Sequence, residues 1–178
     1  MNVPPRYRLP IAILTSIAAV AVVLLAVMVT GQPRPSDSPS PSVSPSASVD
    51  PKGSPDGVVR AFFDALARAR RTDDPTPLTP FVTSTDSSAY LTAAGFLEGQ
   101  KEVGKASVIT TNELRDLRVD PQDGEAVVTF THHVEGYDID YDTGEPLESP
   151  TALPDVTVRV EVRQVDGRWL VERFENVP

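Results

Sequence analysis

The stretch VTVRVEVRQVDGRWLVERFENV, residues 156–177, decides the fold. Apolar and polar residues alternate strictly in its first half. The apolar side comprises Val156, Val158, Val160 and Val162. This period of two predicts a β-strand with one buried face and one solvated face. Asp166 and Gly167 form a dipeptide typical of hairpin turns, so the residues after them predict an antiparallel partner strand.

Two further strands are predicted upstream of this hairpin, over residues 106–119 and 125–141, because the period there is again close to two. The segment DPQDGE between them carries a second Asp-Gly turn signal, which predicts a second antiparallel hairpin. The closing hairpin occupies residues 155–166 and 168–177. The four strands together predict a meandering antiparallel sheet.

Two helices are predicted before the strands. Ser54 suits an N-cap and Pro55 the first helical position, so a first helix begins there and runs to about Arg71. A proline-rich break follows, and a second helix begins near Ser87. We expect the second helix to bury Tyr90, Leu91, Ala94 and Leu97. Helices followed by antiparallel strands predict an α+β domain, residues 54–178, in which the helices pack on one side of a curved antiparallel sheet.

The N-terminal region has a different character. Residues 11–30, IAILTSIAAVAVVLLAVMVT, contain no charge, and a helix of that length spans about 30 Å, the hydrocarbon thickness of a bilayer. We therefore predict a transmembrane helix that acts as an uncleaved signal anchor. The alternative is a cleaved signal peptide and a secreted domain, although the apolar region of such peptides is usually only about 7 to 15 residues long.

The charges around this segment predict its orientation. Arg6 and Arg8 precede it, whereas Arg34 is the only basic residue among the twenty that follow it. Because positive charge is enriched on the cytoplasmic side, residues 1–10 are expected in the cytoplasm and the C-terminal domain outside the cell membrane. Residues 31–53 form a linker rich in proline and serine. With so little apolar surface they predict a disordered, extended spacer that holds the domain away from the bilayer.

The composition excludes several classes of site. The chain has no cysteine, which excludes disulfides, thiolate metal sites and cysteine nucleophiles. Residues 54–178 hold 12 of the 16 Lys and Arg residues and 23 of the 25 Asp and Glu residues, a formal charge of −11. Because such a domain repels phosphate backbones, we expect no nucleic-acid partner. We interpret the cluster of Arg68, Arg70 and Arg71 as cations that complement the dipole at a helix end.

The order of these elements resembles a known superfamily. The segment PDGVVRAFFDALARARRTDDPTPLTPFV, residues 55–82, and the closing hairpin with its Asp-Gly-x-Trp motif are similar to the NTF2-like superfamily, which includes ketosteroid isomerases and SnoaL-type polyketide cyclases. Within it, the chain most resembles tethered extracytoplasmic actinobacterial domains such as the Mce-associated proteins. The resemblance implies a cone-shaped fold. No catalytic motif of the enzymes can be placed on these residues, so it implies no reaction.

One acidic stretch raises the question of calcium. In DIDYDTGEPLE, residues 138–148, aspartates occupy every second position. An EF-hand loop needs glycine at position 6 and glutamate at position 12, where this stretch has Thr143 and Ser149. Alternate side chains of a strand stand about 6.6 to 7 Å apart and do not converge on one ion. We interpret the stretch as the acidic end of the second strand, followed by a turn at Thr143 and Gly144. We expect no metal or other cofactor, with calcium binding as the alternative.

His132 and His133 are the only histidines. In the register of the second strand, His132 falls on the apolar side and His133 on the solvated side. An inward histidine is either an acid–base group in a ligand pocket or a hydrogen-bonded core residue. Tyr90, on the second helix, is the other candidate for such a pocket. No carboxylate that could act beside them is evident, and Trp169 is expected to pack in the last hairpin.

These observations favour a membrane-anchored, non-catalytic binding or assembly module. Its cone is the expected site of a small apolar ligand, and its open sheet face the expected contact for a membrane-protein partner or a second copy of the chain. One alternative is an enzyme of the SnoaL-like cyclase, isomerase or dehydratase type that acts on a small apolar substrate through His132. Another is an acidic domain that spaces or regulates a membrane complex.

Overall fold

The computed structural model describes residues 50–177. The predicted cytoplasmic segment, the predicted transmembrane helix and most of the predicted linker, residues 1–49, lie outside the described residues. In the part of the chain that the structure describes, no helix combines the length and hydropathy needed to cross a membrane.

Two α-helices begin where the sequence predicts. The first, α1, spans Pro55–Ala69, and the Oγ atom of Ser54 accepts a hydrogen bond from the backbone N–H of Gly57 at 3.2 Å. The second, α2, spans Ser88–Glu102 and is capped in the same way by Ser87. Because each serine satisfies a backbone donor that the helix leaves free, it sets the point at which the helix starts. Two short 3-10 helices, Pro51–Gly53 and Thr76–Phe81, lie before and after α1.

The strands form one antiparallel sheet. They are β1, Lys105–Gln122; β2, Glu125–Asp140; β3, Thr151–Ala152; β4, Val156–Val165; and β5, Arg168–Val177. The order across the sheet is β1-β2-β4-β5, and β3 pairs with the far end of β2. Both predicted hairpins are confirmed, whereas the two-residue strand β3 was not predicted. Register shifts within β1 and β5 bend the sheet, which does not close: β1 and β5 are its outer strands.

The core lies between α1 and the inner face of the sheet. Val158, Val160 and Val162 of β4 are each at most 2 % exposed, as the alternation of that strand predicts. Phe62 of α1 and Phe130 of β2 are buried in the same cluster. The apolar stripe of the helix and the apolar face of the sheet therefore cover one another, and the α+β architecture of the domain is confirmed.

The buried face of α2 differs from the predicted one. Ala89, Ala93 and Leu97 are buried, whereas Leu91 is 57 % exposed. The prediction that Leu91 is buried was wrong. Apolar residues occur on several sides of this helix, so its sequence is compatible with more than one buried stripe of helical period. Ala89, Ala93 and Leu97, spaced four residues apart, form the stripe that packs against the core.

Candidate ligand-binding site

A cavity of about 460 Å³ lies between the helices and the sheet. Its volume falls within the range of about 300 to 1,000 Å³ that is usual for small-molecule sites. Ten of its fourteen lining residues are apolar, among them Phe63 of α1, Phe96 of α2, and Val156 and Val158 of β4. The cavity therefore forms where the apolar sides of α1, α2 and the sheet diverge without filling the space between them.

Aromatic rings shape the inner wall of the cavity. The ring of Phe63 packs edge-on against Phe130 at 5.1 Å and against Phe174 at 5.8 Å between centroids. At the outer end, Phe96 is 42 % exposed and Leu153, which follows β3, is 52 % exposed. Large apolar side chains thus continue from the core to the solvent along the cavity, as expected at the entrance of a site for an apolar molecule.

The polar lining is small and contains no carboxylate. It consists of Arg70, Thr92, His132 and Asn176. Thr92 and Asn176 are exposed. Arg70 and His132 are therefore the two residues of this lining that combine partial burial with a basic group.

His132 stands on the cavity wall, between aromatic rings and a polar partner. Its ring packs edge-on against Phe63 at 5.0 Å, and its Nε2 atom lies 2.8 Å from Oδ1 of Asn112. Burial, with smaller contributions from the charge of Arg70 and from His133, lowers the pKa of His132 from 6.5 to about 4. His132 is therefore uncharged at neutral pH.

The hydrogen bonds around Asn112 determine which nitrogen of His132 carries the proton. Nδ2 of Asn112 donates to Oδ1 of Asp64 at 2.9 Å. Because a carboxylate only accepts, the amide of Asn112 must turn its oxygen toward His132. Nε2 of His132 then donates to that oxygen, and Nδ1 is the nitrogen without a proton. The imidazole of His132 is thus hydrogen-bonded to the amide of Asn112. The carboxylate of Asp64 contacts that amide and not the imidazole.

The structure does not bring Tyr90 and His132 to the same cavity. Tyr90 is half-buried and packs against the core, but it is not among the residues that line the cavity. His133 lies on the opposite face of β2 from His132, with its Nδ1 atom 2.7 Å from Oδ1 of Asp155. Trp169 packs against the core from the last hairpin, as predicted.

Arg70 is the site residue that the sequence analysis missed. Arg68 and Arg71 are exposed, but Arg70 lines the cavity and its guanidinium lies over the ring of Phe96, 4.8 Å from the centroid. All three arginines lie at the end of α1, where the sequence places them, and Arg70 is its C-cap. That interpretation did not identify Arg70 as a residue of the cavity lining. Helical spacing could have identified it, because Phe63, Leu66 and Arg70 lie at positions i, i+3 and i+7 of one face.

The acidic stretch ends β2 and forms a turn, as predicted. Oδ1 of Asp138 accepts a hydrogen bond from Ser107 of β1 at 3.0 Å, whereas Oδ1 of Asp140 accepts one from the backbone N–H of Thr143 at 2.8 Å. Gly144, with φ of 72°, completes the turn. The two carboxylates thus face different partners, and residues 50–177 contain no group of three or more side chains arranged to hold a metal ion.

Comparison with known proteins gives structural neighbours only. No protein-family model matches the chain, and no curated protein matches it. The intermembrane space region of the chloroplast protein ARC6 is similar over 67 % of this chain and 91 % of its own length, with 14 % identity and a TM-score of 0.52. A provisionally assigned dehydratase of the NTF2-like family from Streptomyces avermitilis matches over 68 % and 91 % of the two chains, with 14 % identity and a TM-score of 0.48. An NTF2-like protein from Cytophaga hutchinsonii matches over 70 % and 98 %, with 12 % identity and a TM-score of 0.45.

The described residues define an α+β domain in which two helices cover one face of a bent, unclosed antiparallel sheet and leave a cavity between the layers. These elements are arranged as the resemblance to the NTF2-like superfamily implies, so that resemblance is supported at the level of the fold. The narrower resemblance to Mce-associated proteins stays a prediction.

Proposed function

We propose that the domain is a non-catalytic binding module that holds a small apolar ligand between its helices and its sheet. The cavity of about 460 Å³, with ten apolar residues among its fourteen, is the observation that carries the proposal. Moving apolar surface from water into such a cavity contributes roughly 25 cal/mol per Å². A ligand with a hydrocarbon body therefore gains most of its affinity from contacts with residues such as Phe63 and Val158.

The chemistry of His132 supports binding over catalysis. A general base works best when its pKa lies near the working pH, and burial lowers the pKa of His132 to about 4. Nε2 is already engaged with Asn112, and the cavity lining includes no Asp or Glu that could share a proton with the ring. His132 thus has the properties of a hydrogen-bonded wall residue.

One observation favours an enzyme of the cyclase, isomerase or dehydratase type as the second candidate. His132 lines the cavity, and the orientation of Asn112 leaves its Nδ1 atom unprotonated and able to accept a proton. Such an enzyme requires His132 for function in the cell, whereas a binding module requires only the shape of the cavity.

We further propose that residues 11–30 anchor the chain in the cell membrane, with the domain outside the cell. Arg6 and Arg8 before the apolar segment support this orientation. A protease added to intact cells without their wall should then remove residues 54–178 and spare the N-terminus. Protection of the domain would contradict the proposed topology, and loss of residues 11–30 from the mature mass would indicate a secreted protein.

Contact between the solvated sheet face and a membrane-protein partner or a second copy of the chain is also a proposal. That face carries paired charges, with Arg159 and Glu161 at 2.8 Å and Arg173 and Glu175 at 2.6 Å. A partner must therefore be polar where it meets these pairs. Light scattering of the full chain at several concentrations would show a second copy as a doubled protein mass.

The binding proposal is tested with a neutral apolar probe. The full chain in phosphatidylcholine nanodiscs should bind 1-decanol in equilibrium dialysis above the level of empty nanodiscs. Thr92→Trp, which places a large side chain at an exposed position of the lining, should reduce binding at least tenfold. The control Thr85→Trp changes an exposed threonine outside the lining and should bind as the unmodified protein does. Equal binding of 1-decanol by Thr92→Trp and Thr85→Trp would show that the probe binds outside the cavity.

A further inference from the structure

The guanidinium of Arg70 lies in an unusual position for a charged group. Its Nε atom is buried, and no hydrogen-bond partner for it exists among the described residues. The ion pairs within residues 50–177 all use other cations. A buried donor without a partner costs free energy, more so when the group is charged. Either the unpartnered donor lowers the stability of the domain, or a bound molecule accepts a hydrogen bond from it and removes the cost.

The electrostatics of the cavity favour a bound anion. Residues 54–178 carry a formal charge of −11, yet the fourteen residues that line the cavity include no Asp or Glu. His132 is uncharged at neutral pH because its pKa is about 4. Burial lowers the pKa of Arg70 as well, but a guanidinium stays protonated at neutral pH. Arg70 is therefore the one charged residue of the lining.

The geometry of Arg70 favours a carboxylate in particular. One face of its guanidinium is covered by the ring of Phe96, 4.8 Å from the centroid. The N–H groups of a guanidinium lie in its plane and match the two oxygens of a carboxylate. A single guanidinium also balances the single charge of a carboxylate, whereas a phosphate monoester carries about −1.5 to −2 at neutral pH.

We propose that the ligand is a monocarboxylic acid with an apolar body, whose carboxylate pairs with Arg70 and whose hydrocarbon lies against Phe63, Val156 and Val158. This inference rests on the proposed binding function. It adds the class of ligand: an amphiphile with one negative head group, held by the charge of Arg70 at the C-terminal end of α1 and by apolar contact along the sheet.

The experiment compares probes that share a ten-carbon body and differ in the head group. The full chain in phosphatidylcholine nanodiscs is dialysed against decanoate, 1-decanol or decyl phosphate, with empty nanodiscs as the blank. Decanoate should bind at least tenfold more tightly than 1-decanol. Arg70→Gln should weaken decanoate binding roughly tenfold to a hundredfold, the usual effect of losing a charge-assisted hydrogen bond, and leave 1-decanol binding within about threefold.

Two further variants control for folding and for general charge. Arg71→Gln removes the neighbouring exposed arginine and should bind both probes as the unmodified protein does. Arg70→Lys keeps the charge without the fork of donors, so its affinity for decanoate should lie between those of Arg70→Gln and the unmodified protein. Circular dichroism of each variant establishes that the domain is folded.

The outcomes separate this inference from the proposed function. Equal binding of decanoate and 1-decanol, with no effect of Arg70→Gln, would overturn the inference and leave an apolar binding module. Tighter binding of decyl phosphate than of decanoate would also overturn it, in favour of a phosphate ester. Absence of binding by both 1-decanol and decanoate would overturn the proposed function and this inference together.

Discussion

The Nε2 atom of His132 on β2 lies 2.8 Å from the Oδ1 atom of Asn112 on β1. Asn112 in turn donates to Asp64 on α1 at 2.9 Å. One hydrogen-bonded chain therefore ties the helix layer to two strands of the sheet beside the cavity. It fixes the ring of His132 against Phe63 and determines its tautomer.

The pH dependence of stability should report the burial of His132. Its pKa is about 4 in the folded state against 6.5 for an unperturbed histidine, so between these values the unfolded chain binds more protons. The stabilising contribution is complete above pH 6.5 and is lost as the pH falls toward 4. At about 1.4 kcal/mol per pKa unit, about 3 kcal/mol is the upper bound on the resulting fall in the free energy of unfolding. Because the ring is only partly buried and solvent screens its charge, we expect a fall of about 1 to 2 kcal/mol.

His132→Phe is the variant that isolates this effect. Near pH 7 it should lower the free energy of unfolding by roughly 1 kcal/mol, because one hydrogen bond to Asn112 is lost. Near pH 4 it should be as stable as the unmodified protein or more stable. Urea unfolding at several pH values measures the free energy of unfolding of both proteins. Identical pH profiles would contradict the lowered pKa of His132.

Complementation of a deletion strain should show whether His132 only lines the cavity or takes part in catalysis. Under the binding proposal, a folded His132→Phe protein should complement a deletion strain, because the planar bulk of the ring is kept. His133→Phe, on the opposite face of β2, is the control and should complement as well. Failure of His132→Phe alone, with normal folding and abundance, would favour the enzyme or a ligand that hydrogen-bonds to the imidazole.

Asp73 should destabilise the domain at neutral pH. The residue is only 7 % exposed, and neither carboxylate oxygen has a hydrogen-bond partner among the described residues. Burial raises its pKa, against a smaller opposite effect of Lys101. Asp73→Asn removes the charge, and asparagine accepts the φ of 48° found here. The free energy of unfolding at pH 7 should rise by about 1 kcal/mol.

The gain from Asp73→Asn should depend on pH. An acid whose pKa is raised by folding destabilises the protein above that pKa and ceases to do so once it is protonated. The difference between variant and unmodified protein should therefore shrink as the pH falls through the pKa of Asp73. Asp74→Asn is the control, since Asp74 is exposed and accepts from Thr76. A gain of equal size in Asp74→Asn would indicate a general charge effect.

Gly136 should be required for the close approach of β1 and β2. A Cβ atom at this position would lie 2.5 Å from the carbonyl oxygen of Val108, a backbone atom that cannot move aside without shifting β1. Gly136→Ala should lower the free energy of unfolding by about 1 to 3 kcal/mol, as overpacking does elsewhere. Gly95→Ala is the matched control, because a Cβ there meets nothing within 4 Å. In a helix interior, that change should stabilise by roughly 0.5 to 1 kcal/mol.

Calcium should not change the stability of the domain. Oδ1 of Asp140 is already occupied by the backbone N–H and the hydroxyl of Thr143 at 2.8 and 2.9 Å. The melting temperature should be the same in chelator and in added calcium, because an ion that bound the folded state would raise it. A calcium-dependent rise that Asp140→Asn abolishes would establish the calcium site that the spacing of aspartates suggests.

Local patterns were sufficient to predict most of the secondary structure. Strand periodicity and Asp-Gly turns identify both hairpins, and Ser54 and Ser87 mark the helix starts, because each signal acts between residues close in the chain. Where the local pattern is ambiguous, prediction was wrong, as for Leu91 on α2. The two-residue strand β3 is too short to have a period at all.

The sequence by itself determined the α+β class, the element order, the acidic charge and the inward side of His132, since each follows from composition or from spacing along one element. Only the tertiary structure decided that Arg70 lies over Phe96 and that Asn112, not a carboxylate, holds His132. These contacts join residues about twenty or more positions apart in the chain. Their geometry depends on how far the helices stand from the sheet, a distance that packing between layers sets and that no local pattern encodes.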